Sequence, residues 1–247
     1  MKSETEEKLL ALNRLFYQTL ALQFSSTRLR LQPGVMRILE DLPQPFHLLD
    51  LGCGNGNLAR ALASRAYPGT YLGLDDSPGL LEEARKECLE FKNIVFLAAD
   101  LASSDWKSVL YGLSLVSEFS PFDRVVAFAV LHHLPGEGRR LGVLKEVHTL
   151  LAPGGSFIHS EWQFLHSPRW HARIQPWEKV GLTSGDVDPD DYLLDWRHGG
   201  QGLRYVHHFS EDELAHLAKQ SGFSVQKTFY SDGEGGRLGL YQVWEPL

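Results

Sequence analysis

The segment Asp50-Leu-Gly52-Cys53-Gly54-Asn55-Gly56 follows directly on the apolar run Phe46 to Leu49, and a second apolar run, Tyr71 to Leu74, ends in Asp75. A buried strand that stops at glycines brings bare backbone close to a ligand, because glycine has no Cβ to block the approach. An acid at the tip of the next strand is then placed to reach ribose hydroxyls, as in dinucleotide-binding βαβ units. The pairing points to a ligand that contains a nucleoside.

The spacing narrows the choice of ligand. The glycines read G-x-G-x-G, with Asn57 where a pyrophosphate binder has its third glycine, and Asp50 stands two positions before the first. A pyrophosphate would be repelled by that carboxylate, whereas an aminoacyl-nucleoside carrying an ammonium and a sulfonium would be attracted. Taken alone, so short a motif is also compatible with a plain strand-to-helix corner.

Four further segments follow in order. Asn93 to Asp100 reads as a third strand ending in an acid; Phe122 to Leu134 reads as a fourth strand and its loop, with His132 and His133 in that loop. Glu137 to Leu151 reads as a helix, and Leu150-Leu-Ala-Pro-Gly154-Gly155 as the turn that opens a fifth strand, Ser156 to Ser160. In this order and spacing the chain resembles the class I S-adenosylmethionine-dependent methyltransferases. The resemblance implies an α/β, Rossmann-like fold with a seven-stranded, mostly parallel sheet, an antiparallel last strand and helices on both faces. It also implies S-adenosyl-L-methionine as cofactor, contacted by Asp50, Gly52, Cys53, Gly54, Asn55 and Gly56, by Asp75, Asp76 and Ser77, by Asp100 and Leu101, and by Ala127 and Phe128.

Composition sets outer bounds. A chain of 247 residues, 43% hydrophobic and 22% charged, can bury a large core and reads as one globular domain. Its two cysteines imply neither a disulfide framework nor a metal cluster, no pair of the eleven histidines has zinc-like spacing with a third ligand, and no metal is expected. The longest apolar run, Val125 to Leu131, is far too short to cross a bilayer, and the start lacks the basic character of a signal peptide, so a soluble, cytoplasmic protein without a membrane partner is expected. Net charge of −7 argues against a broadly basic nucleic-acid surface, although Phe24 to Ile38 carries Arg28, Arg30 and Arg37 without an acid.

Four parts are expected within the single domain 1–247. Residues 1–45 form a helical cap, with an amphipathic helix over Glu4 to Gln23 and a second helix after Pro33. Residues 46–161 form the cofactor core. Residues 162–209, aromatic and acid-rich with little periodicity, read as an irregular substrate lid. Residues 210–247 open on the capping box Ser210-Glu-Asp-Glu213, end that helix at Gly222, and close with two strands, Phe223 to Tyr230 and Leu238 to Trp244.

Two segments bear on the acceptor. Phe24-Ser-Ser-Thr-Arg28 and Arg204-Tyr-Val-His-His-Phe209 resemble signatures of the eukaryotic tRNA wobble-uridine carboxymethyl methyltransferases, and Ala129 to His133 and Arg139-Arg140 also match. Asp191-Tyr-Leu-Leu-Asp195-Trp196 departs from that family's D-x-L-V-P-W, and Val206 replaces a tyrosine. The resemblance spans roughly residues 13–225 and implies tRNA as partner, a carboxylate as methyl acceptor and a small zinc-containing activator subunit. A carboxylate is already ionised near neutral pH and needs no general base. It needs a cationic clamp, for which Arg28 and Arg204 are the candidates. His132 is the candidate to position substrate or act as base, and Tyr205 and His207 are candidates to stack on or bond to a base. A small-molecule acceptor and a non-catalytic scaffold are the alternatives.

Overall fold

The computed structural model describes residues 1–27, 30–42, 46–111 and 121–247. Five strands run parallel through the middle of the chain: β1 (His47–Leu51), β2 (Thr70–Asp75), β3 (Ile94–Ala98), β4 (Phe122–Phe128) and β5 (Leu151–Trp162). With β9 (Phe223–Ser231) and β10 (Gly239–Pro246) they form a seven-stranded sheet in the order β3-β2-β1-β4-β5-β10-β9. Only β10 runs against the rest, pairing antiparallel with both β5 and β9. The order reverses between β1 and β4, and the crevice at such a switch point, outside the carboxyl ends of the strands, is where open α/β sheets bind ligands.

Helices α1 (Ser3–Ser26), α2 (Pro33–Asp41), α3 (Asn57–Ala63), α4 (Pro78–Glu87), α5 (Ser108–Tyr111), α6 (Glu137–Leu150), α7 (Pro168–His171) and α8 (Glu211–Gln220) complete the described framework. Their starts follow local chemistry. Ser77 caps α4 through Leu80 N and Pro78 opens its first turn; Ser210 accepts from Glu213 N at 3.1 Å as the capping box requires. Two apolar layers sandwich the sheet, one around Leu49, Leu72, Val125, Phe157, Val143 and Leu217, the other around Leu48, Tyr71, Val126, Ile158, Leu62 and Ala84. Successive residues of one strand supply opposite layers, as the two-residue period of a strand demands.

The sequence expectation differs from the structure over 162–209. This region is not irregular: it contains a second, antiparallel sheet of β6 (Ile174–Gln175), β7 (Asp191–Trp196) and β8 (Gly202–His207). The strands are too short to show a period against the surrounding Gly, Pro and Asp. They are also stabilised from a distance, since Asn13 on α1 accepts from Tyr205 N at 2.8 Å and donates to Tyr205 O at 3.2 Å, so a helix side chain substitutes for a neighbouring strand along β8. Two smaller differences follow the same logic. Helix α1 reaches Ser26 but is broken at Leu20, whose φ of −113° and ψ of 17° are not helical. The turn at Pro153-Gly154-Gly155 lies inside β5 as an irregularity, with Gly154 at φ +76° and a register shift against β4.

Candidate active site

A cavity of about 720 Å³ opens at the carboxyl ends of β1, β2, β4 and β5, beneath α1 and beside the small sheet. Its floor is the glycine turn. Gly52 and Gly54 hold φ of +70° and +56°, and a Cβ built on Gly54 would meet no atom within 4 Å, so bare backbone there borders open cavity. At Gly52, by contrast, a Cβ would stand 2.6 Å from Val130 Cγ2.

The three strand-end acids converge, each in a different state. Asp50 is buried and takes a hydrogen bond from the Tyr71 hydroxyl; burial, opposed by that bond, pushes its carboxyl up to about 7. Asp75 accepts from Gly54 N through Oδ2 and from Ser77 N through Oδ1, both at 2.9 Å, and burial lifts it to about 6. Each Asp75 oxygen retains a second lone pair. Asp100 accepts from Ala102 N at 2.9 Å and is ion-paired with Arg14 of α1. Burial of Asp76, and then its proximity to Asp100, raises its carboxyl as well. Negative charge that is costly in this crevice is relieved by a cationic ligand, and the open Gly54 backbone leaves room for it. The residues therefore fit an aminoacyl-nucleoside with ammonium and sulfonium groups. Cys53, Asn55, Leu101 and Phe128 also line the cavity; Gly56, Ser77 and Ala127 do not, and Ser77 acts from behind by capping α4 and bonding Asp75.

The acceptor side is built from β4, β5 and β8. After β4 the chain passes through Ala129, which holds φ +60° and donates to Ser160 O at 2.9 Å, then makes a 3₁₀ turn over Leu131–His133. A non-glycine residue in this conformation is strained, and strain of that kind clusters where a site needs a fixed geometry. The turn delivers His132 to the cavity wall, with Nδ1 2.8 Å from Glu161 Oε2. Glu161 is fully buried between two imidazoles, its Oε1 3.0 Å from His159 Nδ1, and burial drives its carboxyl well up and the His159 imidazole down to about 3. His133 bonds the Tyr17 hydroxyl through Nε2 and Tyr205 O through Nδ1.

Arg204 lines the cavity with only 3% of its surface exposed. Its guanidinium carbon lies 4.8 Å from the Trp162 ring centre, 5.3 Å from Phe16 and 5.8 Å from Trp196. Among the described residues no carboxylate pairs with it, and its Nε is buried without a hydrogen-bond partner. Its neighbours in sequence go elsewhere. Tyr205 donates to Asp191 Oδ1 at 2.7 Å, and His207 joins Asp191 to Glu213; neither lines the cavity. Burial opposes the charge on His207, but the two carboxylates outweigh it and raise its pKa. Tyr205 and His207 thus brace β8 against β7 and α8, and the geometry does not offer them to a substrate base. Arg28 lies outside the described residues.

Sequence reasoning missed Glu161, Arg14 and Asn13. An acid at the end of β5 was a signal for the first; the other two sit on a helix whose amphipathic pattern does not say what it covers.

Comparison with known proteins agrees with this geometry. A family model described as "Methyltransferase domain" matches residues 24–228. A protein of Schizosaccharomyces pombe named tRNA (carboxymethyluridine(34)-5-O)-methyltransferase is 29% identical over 226 residues, 87% of this chain and 89% of its own. A trans-aconitate 2-methyltransferase of Methylobacterium nodulans is 36% identical over 114 residues, 46% of this chain and 37% of its own. Among solved structures, a SAM-dependent methyltransferase of Methanosarcina mazei superposes with a TM-score of 0.64 at 24% identity, covering 89% of this chain and 99% of that one. A structure of the Haloferax volcanii Trm112 methyltransferase activator in complex with a methyltransferase gives 0.65 at 18% identity, covering 94% and 96%. These two superpositions show the fold. With a family match over most of its length and a crevice suited to the donor, the chain belongs to the methyltransferase-domain family and is an S-adenosylmethionine-dependent enzyme.

Proposed function

We propose that the enzyme esterifies a carboxylate, that of a carboxymethylated wobble uridine in tRNA. The observation that carries this reading is Arg204, a buried guanidinium facing the cavity without an acid of its own among the described residues. A guanidinium in that state is matched by a ligand carboxylate, which it grips through paired N–H donors. S-adenosylmethionine, when bound, supplies an electrophilic methyl on a sulfonium. The chain's residues would do the rest: Asp75 would accept from the donor's ribose hydroxyls, Asp50 would balance its ammonium, and Arg204 would fix the acceptor carboxylate. Holding nucleophile and methyl in line contributes up to about 7–11 kcal/mol in the best intramolecular cases. His132, held by Glu161, also lines the cavity and orients the acceptor.

The tRNA acceptor is supported by the name of the S. pombe relative, by Phe24 to Arg28 and by Arg204 to Phe209. A second reading, a small carboxylic acid, is favoured by the trans-aconitate relative, and the same guanidinium would serve it. A small activator subunit is proposed as partner, by analogy with the H. volcanii complex. Transfer of tritiated methyl from S-adenosylmethionine to bulk tRNA, compared with a small-molecule extract, tests the reading. Label in tRNA supports it; label in the extract alone moves the acceptor to a metabolite; failure to bind the donor at millimolar concentration leaves a scaffold.

A further inference from the structure

The cavity has a second cationic feature, at its rim. Arg173 and Arg197 share Asp195: Arg173 Nη1 lies 3.5 Å from Oδ1, and Arg197 Nη2 and Nε lie 2.6 and 2.7 Å from Oδ2. Asp195 N also donates to Arg173 O at 3.0 Å, which ties the two segments through backbone. Arg169 stands 5.2 Å over Trp170, Trp170 meets Trp162 edge-on at 4.9 Å, and Trp162 lies under Arg204. All of these side chains line the cavity. An arginine–tryptophan wall therefore runs from buried Arg204 to Arg197, which is 56% exposed.

We propose that Arg169, Arg173 and Arg197 form a phosphate subsite that takes the phosphodiester flanking the nucleotide whose carboxylate Arg204 holds. The inference rests on the nucleotide reading of the acceptor. On that reading Arg204 takes the methylated carboxylate, and Arg169, Arg173 and Arg197, which follow it along the wall past Trp162 and Trp170, are left for the flanking phosphate. One carboxylate among three guanidiniums leaves a net positive rim on a protein of net charge −7, so the charge is local to the mouth. Asp195 stands where the resembled family has proline, and it acts as a positioning residue: its two oxygens hold one guanidinium each while each keeps N–H donors for a phosphate.

The test uses two acceptors with the full chain: an anticodon stem-loop RNA bearing carboxymethyluridine, and the free carboxymethyluridine nucleoside, which has no phosphate. In Arg197→Gln and Arg169→Gln the ratio of kcat/KM for RNA over nucleoside should fall about tenfold, carried by KM. Binding of the unmodified stem-loop, followed by fluorescence anisotropy against salt, should weaken, with the logarithmic salt slope shallower by about 0.7 for each phosphate that the variant no longer neutralises. An unchanged ratio and unchanged salt slope overturn the subsite while methylation of the carboxymethyl acceptors leaves the nucleotide reading standing. Methylation of neither acceptor by the wild-type chain supplied with a Trm112-type activator subunit overturns both.

Discussion

Replacing Arg204 by methionine separates a binding guanidinium from a structural one. Methionine keeps the length and apolar contact of the side chain against Phe16, Trp162 and Trp196 but removes the charge. Three ring contacts at 4.8 to 5.8 Å contribute about 0.5–1 kcal/mol each in a partly wet site. Against them stands the orphaned Nε, whose burial costs about 1–3 kcal/mol. The two nearly cancel, so stability should change by less than about 1.5 kcal/mol, or roughly 3–6 °C in a chain of this size. Loss of the acceptor clamp is a different matter, because removing one partner of a buried charge pair costs about 2–5 kcal/mol. At 1.4 kcal/mol per tenfold, kcat/KM for the acceptor should drop by about 30- to 4000-fold. Thermal melts and tritiated-methyl transfer read the two quantities on the same preparation, with donor affinity measured by calorimetry as a control. Activity within threefold of wild type, or a melting temperature lower by more than about 10 °C, would refute the assignment of Arg204 to the acceptor.

Three further outcomes follow from the same geometry. Gly54→Ala puts a Cβ into open cavity at a backbone of φ +56°, so it should lower the melting temperature a little through strain and weaken donor binding at least tenfold by calorimetry, whereas Gly52→Ala adds a clash 2.6 Å from Val130 to the same strain and should lower the melting temperature further. Because the folded pKa of Asp50 is raised to about 7, its contribution to stability is present below pH 4 and lost as pH rises to about 7, an effect of order 4 kcal/mol. Asp50→Asn should therefore raise the melting temperature more at pH 8 than at pH 5, and an equal shift at both would remove Asp50 as the cause. Arg139 binds Glu6 and Ala102 O at 2.9 Å each and also pairs with Glu7, fastening α1 to the core; Arg139→Ala should cost about 1–2 kcal/mol, seen as faster hydrogen exchange along α1.

The amino-acid sequence by itself determined the order of the five strands from Phe46 to Ser160, because buried parallel strands are continuous apolar runs and their turns need glycine or proline at readable places, although nothing in it marked the short helix α5. It also determined that Asp50, Asp75 and Asp100 meet, since consecutive parallel strands joined by helices place their carboxyl ends on one side. Tertiary structure alone decided the acceptor half. Arg204, Tyr205 and His207 are neighbours in one motif, yet alternation along β8 sends Arg204 to the cavity and Tyr205 to Asp191, and nothing local announces which face is which. His132 gains its orientation from Glu161, twenty-nine positions away, and β8 gains an edge partner from Asn13 at the other end of the chain. Contacts between residues so far apart depend on how two sheets and a helix pack, and hydrophobic period, which reports only burial within one element, carries no record of them.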